Sequence, residues 1–293
     1  KIGEGCNNGC TFCIIPHVRG PLYSRTVESV TAEVRQLAAG GVKEINLIAQ
    51  DTTSYGVDLA GKSLLAELLK ELVKIDGVKW IRLFYLYPHY FTDELMELIV
   101  KEDKICPYVD LPLQHISQDV LTRMNRRDTK ADVLKLVGKL TQRGRKLALR
   151  STFIVGFPGE TEEEFRELCD FVERTKFDAV GVFTYSQEEG TPAAKMADQV
   201  PEEVKEERYH RLMAIQAKVS EERNRELEGT VHPFIVEELT EEGGRLQAVG
   251  RLDIQAPEVD GLTYVENGEE LNAGDIILVK VVQGVAYDVI AER

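Results

Sequence analysis

One alternation limits the folds open to this chain more than anything else in it. From the start to about residue 185, short apolar runs take turns with segments of helical spacing. The candidate strands are Glu44–Ala49, Trp80–Leu86, Tyr108–Leu113, Leu147–Val155 and Ala179–Tyr185, and Lys1–Glu4 reads as the stub of a first strand. The candidate helices are Val27–Ala39, Leu64–Ile75, Asp93–Lys101, Lys130–Arg143 and Thr161–Thr175, the last opening with Thr161 and Glu164 at capping-box spacing. Strands that recur every 25–40 residues or so with a helix between them pair in parallel. Eight such units close a TIM barrel of about 250 residues. The six here, in about 200 residues, predict a partial, open (β/α)6 barrel of TIM type in the α/β class.

Pro201 then opens a charged segment in which Val204, Leu212, Ile215 and Val219 fall near one helical face, and Gly229 ends it. This predicts a long connecting helix packed on the main domain. Beyond it come short strand-like runs (HPFIVEEL, RLQAVGRL, LTYVENG and DIILVKVVQGVAYDVIA) broken by glycine and asparagine, the texture of a small all-β barrel. The expected domains are residues 1–200, the connecting helix 201–228 and the terminal barrel 229–293. The net charge of −14 disfavours a salt-sensitive grip on nucleic acid and favours a positively charged partner. The terminal barrel is the acidic extreme, with four basic and thirteen acidic residues. No apolar run reaches membrane-spanning length and the start carries no signal-peptide pattern. With an odd set of five cysteines, a reducing, cytoplasmic setting is expected.

Three of those cysteines carry the chemistry. Cys6, Cys10 and Cys13 stand in GEGCNNGCTFC with C-x3-C-x2-C spacing. Three thiolates in one short loop can hold three corners of a four-iron, four-sulfur (4Fe-4S) cluster and leave one iron open. Zinc sites more often close with four ligands and paired C-x2-C units, and the loop is too short for several disulfides. Cys106 and Cys169 are isolated, and Cys169, inside a helical pattern, reads as a core residue.

The loop, with the aromatic Phe12 before its third cysteine, resembles that of the radical S-adenosylmethionine (SAM) superfamily, and the resemblance extends along the chain. It implies the partial barrel already read from the alternation. It also implies that the open iron binds the amino and carboxylate groups of SAM, and that one electron splits SAM into methionine and a 5′-deoxyadenosyl radical. Candidate SAM contacts follow from position. Arg19 and Arg25, in the stretch after the cysteines, could bind the SAM carboxylate or offset the cluster's charge. The polar string Gln50, Asp51, Thr52 and Thr53 after the second strand could take the amino group, or be a strand-ending turn. Gln114 after the fourth strand could bond the ribose or the substrate, and the adjacent His115 could equally be a structural histidine. Arg150 and Thr152 share one face of the fifth strand, and a charge inside a barrel favours a ligand contact unless it is paired. Gly156 and Gly159 flank Pro158 where the superfamily supports the adenine. Tyr185 and Ser186 end the sixth strand at the catalytic rim.

The strings FIVGFPGET and YSQEEGTPA resemble the methylthiotransferase branch of this superfamily, which inserts a methylthio group at an unactivated C–H bond. AQDTTSYG, WIRLFYLYP, YVDLPLQHIS and APEVDG resemble its arm that modifies the β-carbon of an aspartate in small-subunit ribosomal protein twelve, a basic partner. Two other readings stay open: the arm that modifies isopentenyladenosine in transfer RNA, and a non-catalytic iron–sulfur sensor module. The terminal segment resembles a TRAM domain, usually an RNA-binding module, although its acidity departs from that use. The branch also implies a low-potential electron donor such as flavodoxin or ferredoxin. It further implies an N-terminal domain with three more cysteines and a second 4Fe-4S cluster, expected to be missing from a chain that begins at Lys1.

Overall fold

A computed structural model describes residues 1–142, 147–242, 245–266 and 268–293. Seven strands occur in the first two thirds: β1 (Gly3–Glu4), β2 (Tyr23–Ser24), β3 (Glu44–Leu47), β4 (Trp80–Leu83), β5 (Tyr108–Asp110), β6 (Ala148–Val155) and β7 (Ala179–Thr184). β3 pairs with β4 and β5–β6–β7 pair in order, all parallel. Backbone bonds join these pieces. Ile2 N–H donates to Ile48 O at 3.0 Å, Leu86 N–H donates to Asp110 O at 2.9 Å, and Ile81 bridges Ile105. The result is one curved wall in the order β1, β3, β4, β5, β6, β7. Among the described residues no strand pairing closes β7 onto β1, so the barrel is partial and open as its six units predict. β2, which the sequence reading does not anticipate, folds back antiparallel on β1.

Side chains alternate along each strand. Ile45, Leu47, Ile81, Leu83, Val109, Leu149 and Phe153 point outward into a core shared with the helices. Four of those helices begin where threonines accept a backbone N–H: Thr26 and Thr92 as simple caps, and Thr129 with Asp132 and Thr161 with Glu164 as full capping boxes. The helix expected at Lys130–Arg143 runs Lys130–Thr141, and Arg143 lies outside the described residues. Three apolar runs read as strands to Ala49, Leu86 and Leu113 stop at Leu47, Leu83 and Asp110. Beyond those points the chain bends, with left-handed backbone at Tyr85 (φ 55°) and Gln114 (φ 71°).

The connecting helix runs Glu202–Arg225 and packs on β6, β7 and the Glu162–Thr175 helix. Its buried face differs from the one expected. Leu212 and Val219 are on it, but so are Lys205, Arg208, Gln216 and Ser220, while Val204 and Ile215 lie at its margin. Each buried polar group finds a carbonyl. Lys205 Nζ donates to Tyr185 O, Arg208 Nη1 to Glu160 O and Gln216 Nε2 to Phe177 O.

The strands β8 (Val231–Glu242), β9 (Arg245–Leu252), β10 (Thr263–Glu266), β11 (Ile276–Gly284) and β12 (Val289–Glu292) close into a five-stranded barrel in the order β10-β12-β11-β8-β9. Of the expected run LTYVENG, Asn267 lies outside the described residues. This barrel seats against the first residues of the parallel strands. Trp80, Tyr108 and Ala148, each the first residue of its strand, pack on Ile235 and Ala256. Beside them Glu44 takes Arg251 Nη2 at 2.5 Å and Arg82 Nε at 3.0 Å, and Arg82 Nη1 reaches Asp253 O at 2.9 Å. The opposite, C-terminal ends of the strands are left free to build a site.

Candidate functional site

A cavity of about 480 Å³ lies at those C-terminal ends. Its walls come from the cysteine loop (Cys6, Asn8, Cys10, Phe12, Cys13), from Ala49 and Gln50 after β3, from Tyr85 and Tyr87 after β4, and from Gln114 and Arg126 after β5. The loop turns out of β1 at Gly5, whose φ is +73°. A Cβ there would sit 2.1 Å from Pro21 O, so only glycine lets Cys6 follow directly. The stretch after the helix Gln118–Arg123 then holds the loop in place. Thr11 N–H donates to Met124 O, Thr11 Oγ1 to Arg123 O, Asn125 Nδ2 to Gly9 O, and Arg127 Nη2 to Asn7 O.

All five thiols are free, and three of them face this cavity. Burial raises the Cys6 thiol, with the charges of Asp51, Cys10 and Cys13 adding to it. Burial, and then Cys10, likewise raise Cys13. Thiols that oppose one another's ionisation are ready for a strongly cationic centre that removes the conflict. Among the described residues no three His, Cys, Asp or Glu side chains are grouped to hold a single metal ion. A four-iron cluster binds one thiolate per iron, and so needs cysteines spread around a cavity rather than meeting at a point.

Two polar atoms in the wall have no partner. Gln50 Oε1 and Gln114 Oε1 are buried without a hydrogen bond. Gln50 is held through its Nε2, which donates to Glu4 Oε1 at 3.2 Å. Gln114 is fixed by its backbone, donating to Thr152 O and accepting from Ile154 N–H, both at 2.8 Å, in a left-handed conformation that is uncommon away from glycine. Orphaned acceptors of this kind are satisfied by a ligand's N–H or O–H.

Residues 1–172 match the Radical SAM superfamily. The chain belongs to the radical SAM superfamily. Residues 229–293 match the TRAM domain. The chain is 53% identical over 292 residues to the protein named ribosomal protein uS12 methylthiotransferase RimO of Geobacter sulfurreducens, covering all of this chain and 65% of that one. It is 49% identical over 290 residues to the protein of the same name from Clostridium botulinum, covering 99% of this chain and 64% of that one. It therefore spans about 65% of the length of such relatives. Among solved structures, TsrM from Kitasatospora setae, a radical SAM methyltransferase, superposes with a TM-score of 0.53 at 22% identity, over 66% of this chain and 37% of that one. Coproporphyrinogen III oxidase HemN from Escherichia coli gives 0.52 at 14% identity, over 85% and 63%. At these identities the likeness is one of fold.

Of the side chains expected to matter in a radical SAM site, Cys6, Cys10, Cys13, Phe12, Gln50 and Gln114 meet at the cavity. Phe12 also stands edge-on to Phe157 at 6.4 Å. The others do not meet there. Arg19 is exposed beside Glu4. Arg25 bonds Lys1 O, Ser29 and Glu33 near the start of the Val27–Ala39 helix. Asp51, Thr52 and Thr53 form the turn, with Asp51 accepting from Asn8 Nδ2, Thr53 Oγ1 and Ser54 N–H. Arg150 does face inward, but it is paired: Nη1 reaches Asp110 Oδ1 at 2.8 Å and Nε lies 3.5 Å from Asp260 Oδ1 in the C-terminal barrel. Thr152 sits beside it. At Gly156 (φ +72°) a Cβ would meet Lys205 Cγ at 2.3 Å, so this glycine is required by the connecting helix. Tyr185 is buried between Phe157, at 5.3 Å, and Lys205 Nζ, behind the cavity wall.

His115 is fully buried and its Nδ1 accepts from Ser117 N–H at 3.0 Å. Burial holds its pKa down at about 3. The folded chain therefore keeps it neutral, while the unfolded chain protonates it below about 6.5. Its contribution to stability is complete above that pH and is lost as pH falls toward 3. We expect its ring signals in NMR to stay fixed from pH 8 to 5. A midpoint between 6 and 7 would refute this assignment.

Proposed function

We propose that the chain carries the SAM-cleaving and TRAM portions of a methylthiotransferase acting on the aspartate β-carbon of small-subunit ribosomal protein uS12. The observation that carries the reading is the cavity itself: three cysteines of C-x3-C-x2-C spacing beside two unpartnered amide oxygens, in a chain about half identical to proteins named for that reaction. Cys6, Cys10 and Cys13 would hold a 4Fe-4S cluster with one iron open for SAM. When bound, that group supplies the electron that splits SAM and gives the radical able to take hydrogen from a C–H bond too weakly acidic for a general base. Gln50 and Gln114 offer their Oε1 atoms to N–H or O–H groups of SAM. Phe12, Tyr85 and Tyr87 supply apolar and aromatic wall that limits water.

The acidic TRAM segment suits a basic ribosomal protein and opposes phosphate, which weighs against a transfer-RNA substrate. A second cluster that carries the sulfur is assigned to the part of the relatives that this chain does not span, a low-potential donor such as flavodoxin or ferredoxin supplies the electron, and the setting is the cytoplasm. No helix among the described residues is long and apolar enough to cross a membrane.

The test is reductive cleavage. The cluster-loaded chain, reduced in the presence of SAM, should release 5′-deoxyadenosine without forming methylthio-aspartate on added uS12. A sensor module would release none, and repeated methylthiolation by this chain alone would overturn the division of labour. Gln50→Ala and Gln114→Ala should each weaken SAM binding about tenfold, one hydrogen bond's worth, at unchanged iron content.

A further inference from the structure

The guanidinium of Arg126, in the cavity wall, is held on two sides. It stacks over the Tyr87 ring at 4.1 Å, and its Nη2 donates to Pro112 O at 2.9 Å. Its backbone N–H donates to Leu121 O. One edge is left, and there Nη1 donates to Cys10 Sγ at 3.7 Å. Asn125 and Arg127, on either side, bind carbonyls of the same cysteine loop, so the whole stretch is set in register with the thiols. A planar cation clamped on two sides and aimed at a sulfur is built for that sulfur.

We propose that Arg126 is a positioning residue for the reductive step, acting through Cys10 to make the cluster easier to reduce. The inference rests on the cluster assignment above. Reduction adds one electron, from an external low-potential reductant, to a centre that already carries three thiolates, and no bond forms or breaks in that step. A fixed positive charge and an N–H···S hydrogen bond both favour the more negative, reduced form. Partial burial keeps water from screening the effect.

The experiment is a redox titration of the cluster-loaded chain without SAM, followed by the paramagnetic signal of the one-electron-reduced cluster, on samples of equal iron and sulfide content. For Arg126→Gln the reduced-to-oxidised ratio at a fixed potential should fall about tenfold, equivalent to about 59 mV. Arg126→Lys, which keeps the charge but not the fork, should fall by about threefold. Lys130→Ala, which removes a cation paired with Glu167 outside the cavity wall, should leave the potential where it was. Equal potentials in the wild-type and Arg126→Gln chains would overturn the inference, as would a loss confined to SAM affinity. If Arg126→Gln does not load, an unchanged potential in Arg126→Lys overturns it. A wild-type chain that takes up no 4Fe-4S cluster would overturn the cluster assignment and this inference with it.

Discussion

Changing any one of Cys6, Cys10 or Cys13 to alanine will leave the chain without its brown cluster, and 5′-deoxyadenosine formation will fall on the order of a thousandfold or more. The three thiols line one cavity and no other cysteine can reach it. Cys106 is buried against Trp80 and Tyr108 beside the C-terminal barrel, and Cys169 lies in the outer helical core. Burial pushes those two thiols up to about 12 and about 11, which keeps them protonated and poor ligands. Cys106→Ala should therefore load iron and cleave SAM normally. Iron and sulfide analysis with product chromatography checks both halves. Cleavage that survives a change at Cys6, Cys10 or Cys13 would remove the basis of the site.

The second large effect lies at the other end of the strands. Glu44 is the one carboxylate that both Arg82 and Arg251 share, and all three side chains are almost wholly buried. Glu44→Ala leaves the buried Arg82 guanidinium without its carboxylate and Arg251 with only the partly exposed Glu237, a loss of about 3–5 kcal/mol. The melting temperature should drop by roughly 6–15 °C. Glu94→Ala, which breaks an exposed pair with Lys70, should change stability by less than about 1 kcal/mol. The two arginines also set a pH dependence. Burial raises the Glu44 carboxyl, but the hydrogen bond from Arg251 and the charges of both arginines outweigh it, so its pKa is lowered. A lowered folded-state pKa gives stability that is present above the ordinary glutamate range and is lost as pH falls through the folded value. Thermal melts from pH 7 to pH 3 should show that loss in the wild-type chain and less of it in Glu44→Ala. Equal melting of the two at pH 7 would mean that the network does not fasten the barrels together.

What the sequence makes legible here is mostly local. The Thr161–Glu164 capping box and the alternation along β6 can each be read within a dozen residues and agree with the structure, and the three cysteines of the C-x3-C-x2-C string line one cavity. Arg150 shows where local reading stops. Its inward face follows from the alternation, but its partners Asp110 and Asp260 come from a neighbouring strand and from the C-terminal barrel, so the charge is paired and not free for SAM. Lys205 and Arg208 look solvated in a charged helix, yet they are buried because carbonyls across the fold receive them. Arg126 was missed for the same reason. It meets Cys10 across 116 positions of sequence, and nothing around it in MNRRD marks a contact with sulfur. Tyr85 reads as strand within Trp80–Leu86, because that apolar run gives no sign that the chain breaks at a left-handed Tyr85 to bring it and Tyr87 to the cavity.

The most direct test of the central claim is the mass of small-subunit ribosomal proteins from cells with and without the gene that encodes this chain. In cells lacking the gene, uS12 should be lighter by one methylthio group, placed on an aspartate by fragmentation, while transfer RNA is unchanged. Unaltered uS12 together with loss of methylthio-adenosine from transfer RNA would contradict it.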